Sequence, residues 1–564
     1  MTRPAGVVHG YGEAALLVDV PDLAAVRALY RALVRDVPPG VVDVVPAART
    51  VLVRCASPRD VPRARSWVRA ALDREDTAGT VAQEPELVQI PVVYDGQDLA
   101  DVARWAGISV EEVVARHSGR EYEAAFGGFA PGFTYLAGVD PVIAAPRLVT
   151  PRTRVPAGSV ALAGELTAVY PGESPGGWRL LGTTRARMFD VDRDRPALVA
   201  PGARVRFLVA PPEAVVTART DVVGPSAGTL DPSAGTVGTR PARQDGRGGG
   251  EGRRTGHEDP ARGGPGAVVQ HAGRCVEVLA TGPLVLLQDE GRPGLGAIGV
   301  GPSGAADLAS HALANRLVAN PGDAATLEAT LGGLVLRFSG AAAVALAGAA
   351  LPATVDGTPV GMHAPVAVPD GGVLRLGVPA RGLRTYVAVR GGLLARAVLG
   401  SRSWDVLAGI GPRPLRAGDA LGVGPTPPGW PLLGVVPVRH PAGELRPGER
   451  AVALQVLPGP RPERFLPGAW HALRALRTVT ADSNRVALRL DGQAVPTRAG
   501  DTPPEGLVRG SVQVPPDGRP VLFLADRPVT GGYPVIGVLR DADVDRAAQL
   551  RPGDQVVLRA VREP

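Results

Sequence analysis

Two arginines two residues apart, Arg152 and Arg154 in "PRTRVPAGS", could grip a carboxylate or phosphate bidentately, with the Gly158 amide and the Ser159 hydroxyl close behind. The same stretch reads equally as surface arginines around a turn. Further on, "ESPGGWRLLG" sets Ser174, Gly176 and Gly177 where bare backbone could cradle an anion, with Trp178 as a wall, although glycines alone are a weak sign. His117 closes a helix on the side of Val113 and Val114, just before Gly119. By itself it is either a packed or capping histidine or a group for acid–base work. Residues 126 to 138, "FGGFAPGFTYLAG", hold three of the chain's eight phenylalanines with four glycines and a proline. That mixture suits neither a membrane span nor a buried strand. It reads as a glycine corner wedged by Phe129, Phe133 and Tyr135 whose amides edge a pocket, or as a binding loop.

The residues that are missing also limit the chemistry. All 61 basic residues are arginine, which excludes a lysine-bearing phosphate loop, a Schiff base and a biotinyl-lysine on this chain. The net charge of +6 is not gathered into a basic face, so no nucleic-acid partner is expected. Cys55 and Cys275 lie far apart without metal-ligand spacing, so neither a metal site nor a disulfide framework is expected, and a reducing cytoplasm is compatible. The opening "MTRPAGVVHGYGEAALLVDV" lacks a basic stretch followed by an unbroken apolar run, and "GAAAVALAGAALPA" is too short for a bilayer. Neither export nor a membrane span is expected, which makes the expected location cytoplasmic.

The elements that must position these groups are mostly strands. With 564 residues, 45% hydrophobic and 21% charged, the chain is expected to form several cores, and 74 glycines with 57 prolines imply many turns and short strands. Over the first 95 residues the pattern runs strand "AALLVDV", helix 22 to 35 with Val26, Leu29, Tyr30 and Leu33 on one face, strands "VVDVV" and "TVLVRC", helix 58 to 74, and a closing strand "ELVQIPVVY". That is the split βαβ, ferredoxin-like order, and a ferredoxin-like α+β domain is assigned to 1–80. Ser109 with Glu112 forms a capping box for the helix that ends at His117. Residues 211–270 are rich in Gly, Pro, Ser and Thr, carry both charge signs and lack an apolar period, so they read as a disordered linker. Beyond it, hairpin signals at "TVDGTPV" and "VPPDGRPVLFL" and one helix, residues 305 to 319, suggest two β units, 271–425 and 426–564.

Taken together, "HSGREYEAAFGGFAPGFTYLAG", "PRTRVPAGSVALAG" and "YPGESPGGWRLLGTT" resemble the allophanate hydrolase subunit 1 family, which includes the B subunit of bacterial 5-oxoprolinase and the Kip kinase inhibitor. "LQDEGRPGLGAIGVGPSGAADLASHALANRL", "YVAVRGGLLARAVLGSRS", "SNRVALRLDG" and "GSVQVPPDGRPVLFLADRPVTGGYP" resemble the subunit 2 family, which includes the 5-oxoprolinase C subunit and the Kip antagonist. The resemblance covers nearly all of 1–210 and 274–560. It implies a mostly β fold with a small α+β N-terminal domain and cyclophilin-like β-barrels, at 81–210 and in both halves of the second part. It also implies that the two polypeptides associate, here within one chain. Urea carboxylase is similar over the same modules, where they act as a carboxyltransferase.

The activity implied is the ATP-dependent opening of 5-oxo-L-proline to L-glutamate, run with a separate A subunit. ATP, with Mg2+, would be a co-substrate, no biotin would be carried on this chain, and the substrate would be a small cyclic amide. Such chemistry needs cations or amides for phosphate, an anchor for a carboxylate, and groups that move protons. The family motif that precedes the glycine corner makes His117 a candidate acid–base group, joined by Asp289 and Asp526 as catalytic candidates. For substrate or phosphate the resemblance adds Arg292, Ser303, Asp307, Arg390, Ser401, Arg402, Asn484, Arg485, Arg527, Thr530 and Tyr533 to the first group of residues, while Asn315 and Glu328 also sit at motif positions. Asp307 could simply cap its helix. The chain departs from the family at Trp404, where a threonine is usual, and at Pro504, which replaces a serine before Glu505. Two rival functions stay open: a biotin-dependent carboxyltransferase whose carrier comes in trans, and a kinase-inhibitor-type binding module.

Overall fold

The computed structural model describes residues 6–73, 86–148, 150, 152–211, 273–431, 435, 451–500 and 502–561. The stretch read as a linker, 212–270, lies outside the described residues.

The first unit is a four-stranded antiparallel sheet in the order Val7–Gly10, Ala15–Asp19, Thr50–Cys55, Val41–Pro46, with helices Leu23–Val34 and Val61–Asp73 on one face. Asp22 caps the first helix by accepting from the Ala25 amide, and Val26, Leu29 and Leu33 form its buried stripe. Both faces of this sheet are covered. Leu16, Val18, Val51 and Val53 pack under the helices. Leu17, Val45 and Leu52, one residue out of phase with them, pack against Leu507, Val508, Phe523 and Val538 at the far end of the chain. Burial on two faces explains why these strands read as continuous apolar runs rather than as an alternation.

The strand expected to close this unit does not do so. Leu87–Val92 runs parallel to Arg204–Val209 in a second sheet, while Val7–Gly10 takes the open edge beside Ala15–Asp19. Its inward residues Val88, Ile90 and Val92 find a core with Tyr122, Leu136 and Phe207 instead. The second sheet runs Arg179–Thr183, Ser159–Ala163, Leu166–Val169, Ala130–Ala137, Glu121–Gly128, Arg204–Val209, Leu87–Val92, and a bridge from Val93 to Thr183 brings its two ends together. Ser109 caps the helix Val110–Ser118 by accepting from the Glu112 amide at 3.2 Å, the serine half of a capping box, while the Glu112 carboxylate pairs with Arg116.

Residues 275–423 form two facing sheets, of seven and five strands, around one core that includes Leu287, Leu327, Leu336, Phe338 and Val387. The helix Leu308–Leu317 packs on the outer side of the five-stranded sheet through Ala314 and Leu317 against Ala345, Ala347 and Tyr386. Asp356 and Gly357, both at positive φ, turn the hairpin between Ala353–Val355 and Thr358–Val360, as "VDGT" predicts. The last unit, 452–560, is a closed seven-stranded barrel whose first and last strands, Val452–Pro458 and Gln555–Ala560, pair in parallel. The mostly β class with a small α+β unit is therefore observed. Among the described residues no helix is long and apolar enough to cross a membrane.

Candidate active site

The glycine corner is one of the places where the two parts of the chain meet. Glu121–Gly128 and Ala130–Ala137 form a hairpin whose turning residue, Phe129, sits at φ 61°. The Phe129 amide donates to Thr530 Oγ1 at 3.2 Å. A Cβ at Gly128 would overlap that Thr530 hydroxyl, a Cβ at Gly127 would overlap the Ala297 carbonyl, and a Cβ at Gly299 would overlap the Ala130 carbonyl. The bare backbone is therefore needed for contact between parts. Behind it the rings interlock: Phe133 meets Phe129 at 5.3 Å, Tyr135 at 5.0 Å and Trp178 at 5.8 Å. The corner half of the reading is seen, and its backbone packs against the second part of the chain.

Beside this contact lies a buried ionic cluster built from both halves of the second part. Arg485 holds Asp526 through Nε at 2.9 Å and Nη2 at 3.1 Å, donates to the Gly304 carbonyl at 2.6 Å, and pairs with Glu328 through Nη1. Glu328 also accepts from Tyr386 Oη at 2.7 Å and the Ala306 amide at 3.0 Å, with Arg384 Nε 3.3 Å away. Burial alone would raise its carboxyl, but the Arg485 and Arg384 guanidiniums outweigh that and leave it lowered. Asp526 accepts further from Ser303 Oγ at 2.7 Å and from the Val406 amide at 3.1 Å. Asp289 accepts from Ser401 Oγ at 2.6 Å, from Ser403 Oγ, and from the Gly291 and Arg402 amides, which fixes the 401–403 turn. Arg292 reaches the Ser403 carbonyl, while its buried Nη1 has no partner among the described residues.

Asp405 completes the cluster and was not among the residues singled out by sequence. Its Oδ1 accepts from the Leu407 and Ala408 amides, each at 2.9 Å, and its Oδ2 lies over Gly301. Burial, and then the negative charge of Asp526, push its carboxyl up to about 7. A carboxyl raised toward neutrality can give or take a proton at working pH. The one available signal was the departure at Trp404, which marks the chain immediately before it.

Other candidates fall outside this cluster. His117 is fully buried, with Nδ1 against Tyr94 Oη at 2.8 Å, Nε2 against Thr167 Oγ1 at 3.0 Å and its ring stacked on Phe207 at 4.6 Å. Burial pushes it down to about 3, so it is a neutral core residue with both nitrogens engaged, and the acid–base role expected of it is corrected. Arg152 holds Asp98 at 2.6 Å and the Trp178 carbonyl at 3.3 Å, and the exposed Arg154 pairs with Glu173. Gly158, at φ 79°, and Ser159, bonded to the Pro156 carbonyl, form a turn. Ser174–Gly176 pairs with Arg152–Val155, Gly176 abuts the Tyr170 hydroxyl, and the Gly177 carbonyl accepts from Leu148. Arg152, Arg154, Gly158 and Ser159 are thus engaged within their own sheet and turns, while the buried Ser174 Oγ has no partner among the described residues.

In the second part, Asp307 caps its helix by accepting from the Ser310 amide at 2.9 Å, and burial with the nearby Asp545 charge pushes it up to about 6. Arg390 binds the Val318, Pro427 and Gly429 carbonyls and lies 3.9 Å over the Trp430 ring. Asn484 turns the chain through the Val486 amide, Arg402 Nε reaches the Ala395 carbonyl at 3.1 Å, and Tyr533 is exposed. Arg527 donates to the Leu507 carbonyl, and burial beside Arg54 and Arg509 lowers it to about 9. The cluster thus unites Asp289, Arg292, Ser303, Ser401, Arg485 and Asp526, with Thr530 as its contact to the corner.

Comparison with known proteins divides the chain in the same place. The model of the carboxyltransferase domain, subdomains A and B, matches residues 298–560, and that of subdomains C and D matches residues 7–199. The B subunit of 5-oxoprolinase from Escherichia coli O157:H7 is 37% identical over 209 residues, covering 35% of this chain and 93% of that protein. The C subunit of 5-oxoprolinase from Escherichia coli K12 is 33% identical over 287 residues, covering 50% and 89%. The urea amidolyase of Saccharomyces cerevisiae is 29% identical over 307 residues, 51% of this chain but 17% of that protein. The crystal structure of TTHA0988 superposes with a TM-score of 0.78 at 34% identity, covering 99% of this chain and 100% of that one.

Proposed function

Because the chain belongs to the carboxyltransferase-domain family that includes the B and C subunits of 5-oxoprolinase, with both joined in one polypeptide, we propose that it is the fused B and C component of an ATP-dependent 5-oxoprolinase. It opens 5-oxo-L-proline to L-glutamate together with a separate A subunit. The observation that carries this reading is the joining, in one chain, of a segment like the B subunit and a segment like the C subunit, with the Asp405 carboxyl buried beside Asp526 between the two halves of the second part. In ring opening, water adds to the lactam carbonyl carbon, the carbon–nitrogen bond breaks, and the departing nitrogen takes a proton. Asp405 supplies that proton or removes one from the water, with Ser303 and Asp526 setting its surroundings.

An unstrained lactam needs coupling to ATP, and we assign ATP and Mg2+ to the A subunit; the engagement of Arg152, Arg485 and Arg390 by carboxylates or carbonyls of the fold supports that assignment. The test is reconstitution. The purified chain alone should release little glutamate, and adding an A subunit should produce ATP-dependent glutamate release. A second reading, a carboxyltransferase of the urea-carboxylase kind, is favoured by the urea amidolyase match, but its biotin-bearing lysine would have to come in trans because this chain has none. Biotin-dependent carboxylation with 5-oxoproline unchanged in the same mixture would replace the first reading with the second.

A further inference from the structure

The backbone in front of Asp405 is clamped from one short stretch of chain. Strand Leu284–Gln288 ends there, and three side chains between 288 and 292 grip residues 401 to 404. Gln288 Nε2 donates to the Trp404 carbonyl at 2.9 Å, and the Asp289 carboxylate accepts from the Arg402 amide and from the Ser401 and Ser403 hydroxyls. Arg292 donates to the Ser403 carbonyl through Nη2 and reaches the Val398 carbonyl through Nε at 3.4 Å. On the other side of Asp405, the Val406 amide donates to Asp526 at 3.1 Å. Asp405 is thus fixed from both halves of the second part.

Of these three clamps only Arg292 carries a positive charge. It is 2% exposed and makes no ion pair among the described residues, since its bonds go to carbonyls and its buried Nη1 has no partner. The resemblance placed it among substrate or phosphate binders, a role that this enclosure does not suit. A guanidinium buried without a bonded carboxylate is costly unless carboxylates nearby act on it through space. Burial lowers the Arg292 guanidinium, and Asp405, then Asp289, then Asp526 oppose that. The same charge acts back on Asp405. Burial and then Asp526 raise that carboxyl, while the Ala408 amide, Arg292 and the Leu407 amide pull it down. Arg485, the other cation in the cluster, is paired with Asp526 and Glu328.

We propose that Arg292 is a positioning residue for Asp405, fixing the backbone two residues before it and supplying a positive charge that no bonded carboxylate neutralises. Gln288 shares the first task and not the second. That Asp405 moves a proton in ring opening rests on the proposed function; the pairing of Arg292 with Asp405 does not.

The full chain alone carries the test. The gap in urea midpoint between a protein and the same protein with Asp405→Asn opens as pH rises and levels off once Asp405 has finished titrating, which reads that carboxyl without turnover. Arg292→Gln keeps a donor for the Ser403 carbonyl and loses the charge, so in its background the levelling point should move up by about one pH unit or more. Arg292→Lys, which keeps a charge, and Gln288→Leu, which loses only a neutral clamp, should leave that point in place. In the reconstituted enzyme the limb of the pH–rate profile that Asp405 sets should move with it. An unmoved levelling point in Arg292→Gln, or an equal upward move in Gln288→Leu, would overturn the proposal. If Arg292→Gln does not fold, Arg292→Lys decides: an unmoved point supports the proposal and a raised one overturns it. Turnover that needs Asp405, with a levelling point indifferent to Arg292, removes the pairing and leaves the reaction. A levelling point that follows Arg292, in an enzyme whose turnover is indifferent to Asp405→Asn, supports the pairing and removes Asp405 from ring opening.

Discussion

The backbone N–H of Phe129 donates to the hydroxyl of Thr530, 401 residues further along the chain, at 3.2 Å. Two segments that resemble separate subunits thereby share one corner, and the glycines around it hold that approach open. Replacing Gly128 with Val would drive a side chain into Thr530. When the chain is cut within residues 212–270, the wild-type halves should co-elute on gel filtration at micromolar concentration and the Gly128→Val halves should separate, since overpacking costs about 1–3 kcal/mol. Separation of the wild-type halves would show that this packing is too weak to hold them.

Asp405→Asn keeps an acceptor for the Leu407 and Ala408 amides while removing the titration. Turnover of the reconstituted enzyme should fall by about 10²- to 10⁴-fold. Stability should move the other way. The folded-state carboxyl is raised to about 7, so the wild type loses stability as pH rises from the ordinary carboxylate range through 7, and the variant does not. Denaturant melts at pH 8 should find the variant more stable, by on the order of 1–3 kcal/mol, with the gap closing toward pH 4. Full activity of the variant would remove Asp405 from the chemistry.

His117→Ala should act on stability alone. It leaves the Tyr94 and Thr167 hydroxyls facing a void, at a cost of about 1–3 kcal/mol, while the folded fraction keeps full turnover. The imidazole, held down to about 3, contributes stability that is present above about 6.5 and lost as pH falls toward 3. The variant should therefore lack that part of the acid sensitivity. A stable but inactive His117→Ala protein would restore the acid–base role.

Arg485→Met removes the cation that Asp526 and Glu328 share and leaves Glu328 with Arg384 alone. Removing one partner of a buried ionic group costs about 3–5 kcal/mol. Adding Glu328→Leu should recover part of that loss, because the buried carboxylate that has lost one of its two cations then goes too. Equal stability of the single and double variants, read from urea midpoints, would mean that Arg485 and Glu328 are not coupled.

Where information is local, the sequence carried it. Asp22 and Ser109 start helices through bonds three residues on, Val26, Leu29 and Leu33 repeat at helical spacing, and Asp356–Gly357 turns a hairpin; each rests on a few neighbouring residues, and the fold keeps them. The absence of lysine and the long family motifs were equally legible, and they led to the family and to the cluster around Asp289, Arg485 and Asp526. Other features had no local signature. Leu87–Val92 alternates like any half-buried strand, and only the sheet edge left open to it decided its partner. His117 stands in a motif, but whether a histidine moves protons depends on the water around it, and Phe207, Tyr122 and Thr167 converge on it from other strands to exclude that water. Asp405 became a near-neutral acid only when folding buried it beside Asp526, which follows 121 positions later in the chain. Propensity and spacing are properties of short segments. Burial, pairing and charge environment are set by segments hundreds of residues apart, and the tertiary structure alone brings those together.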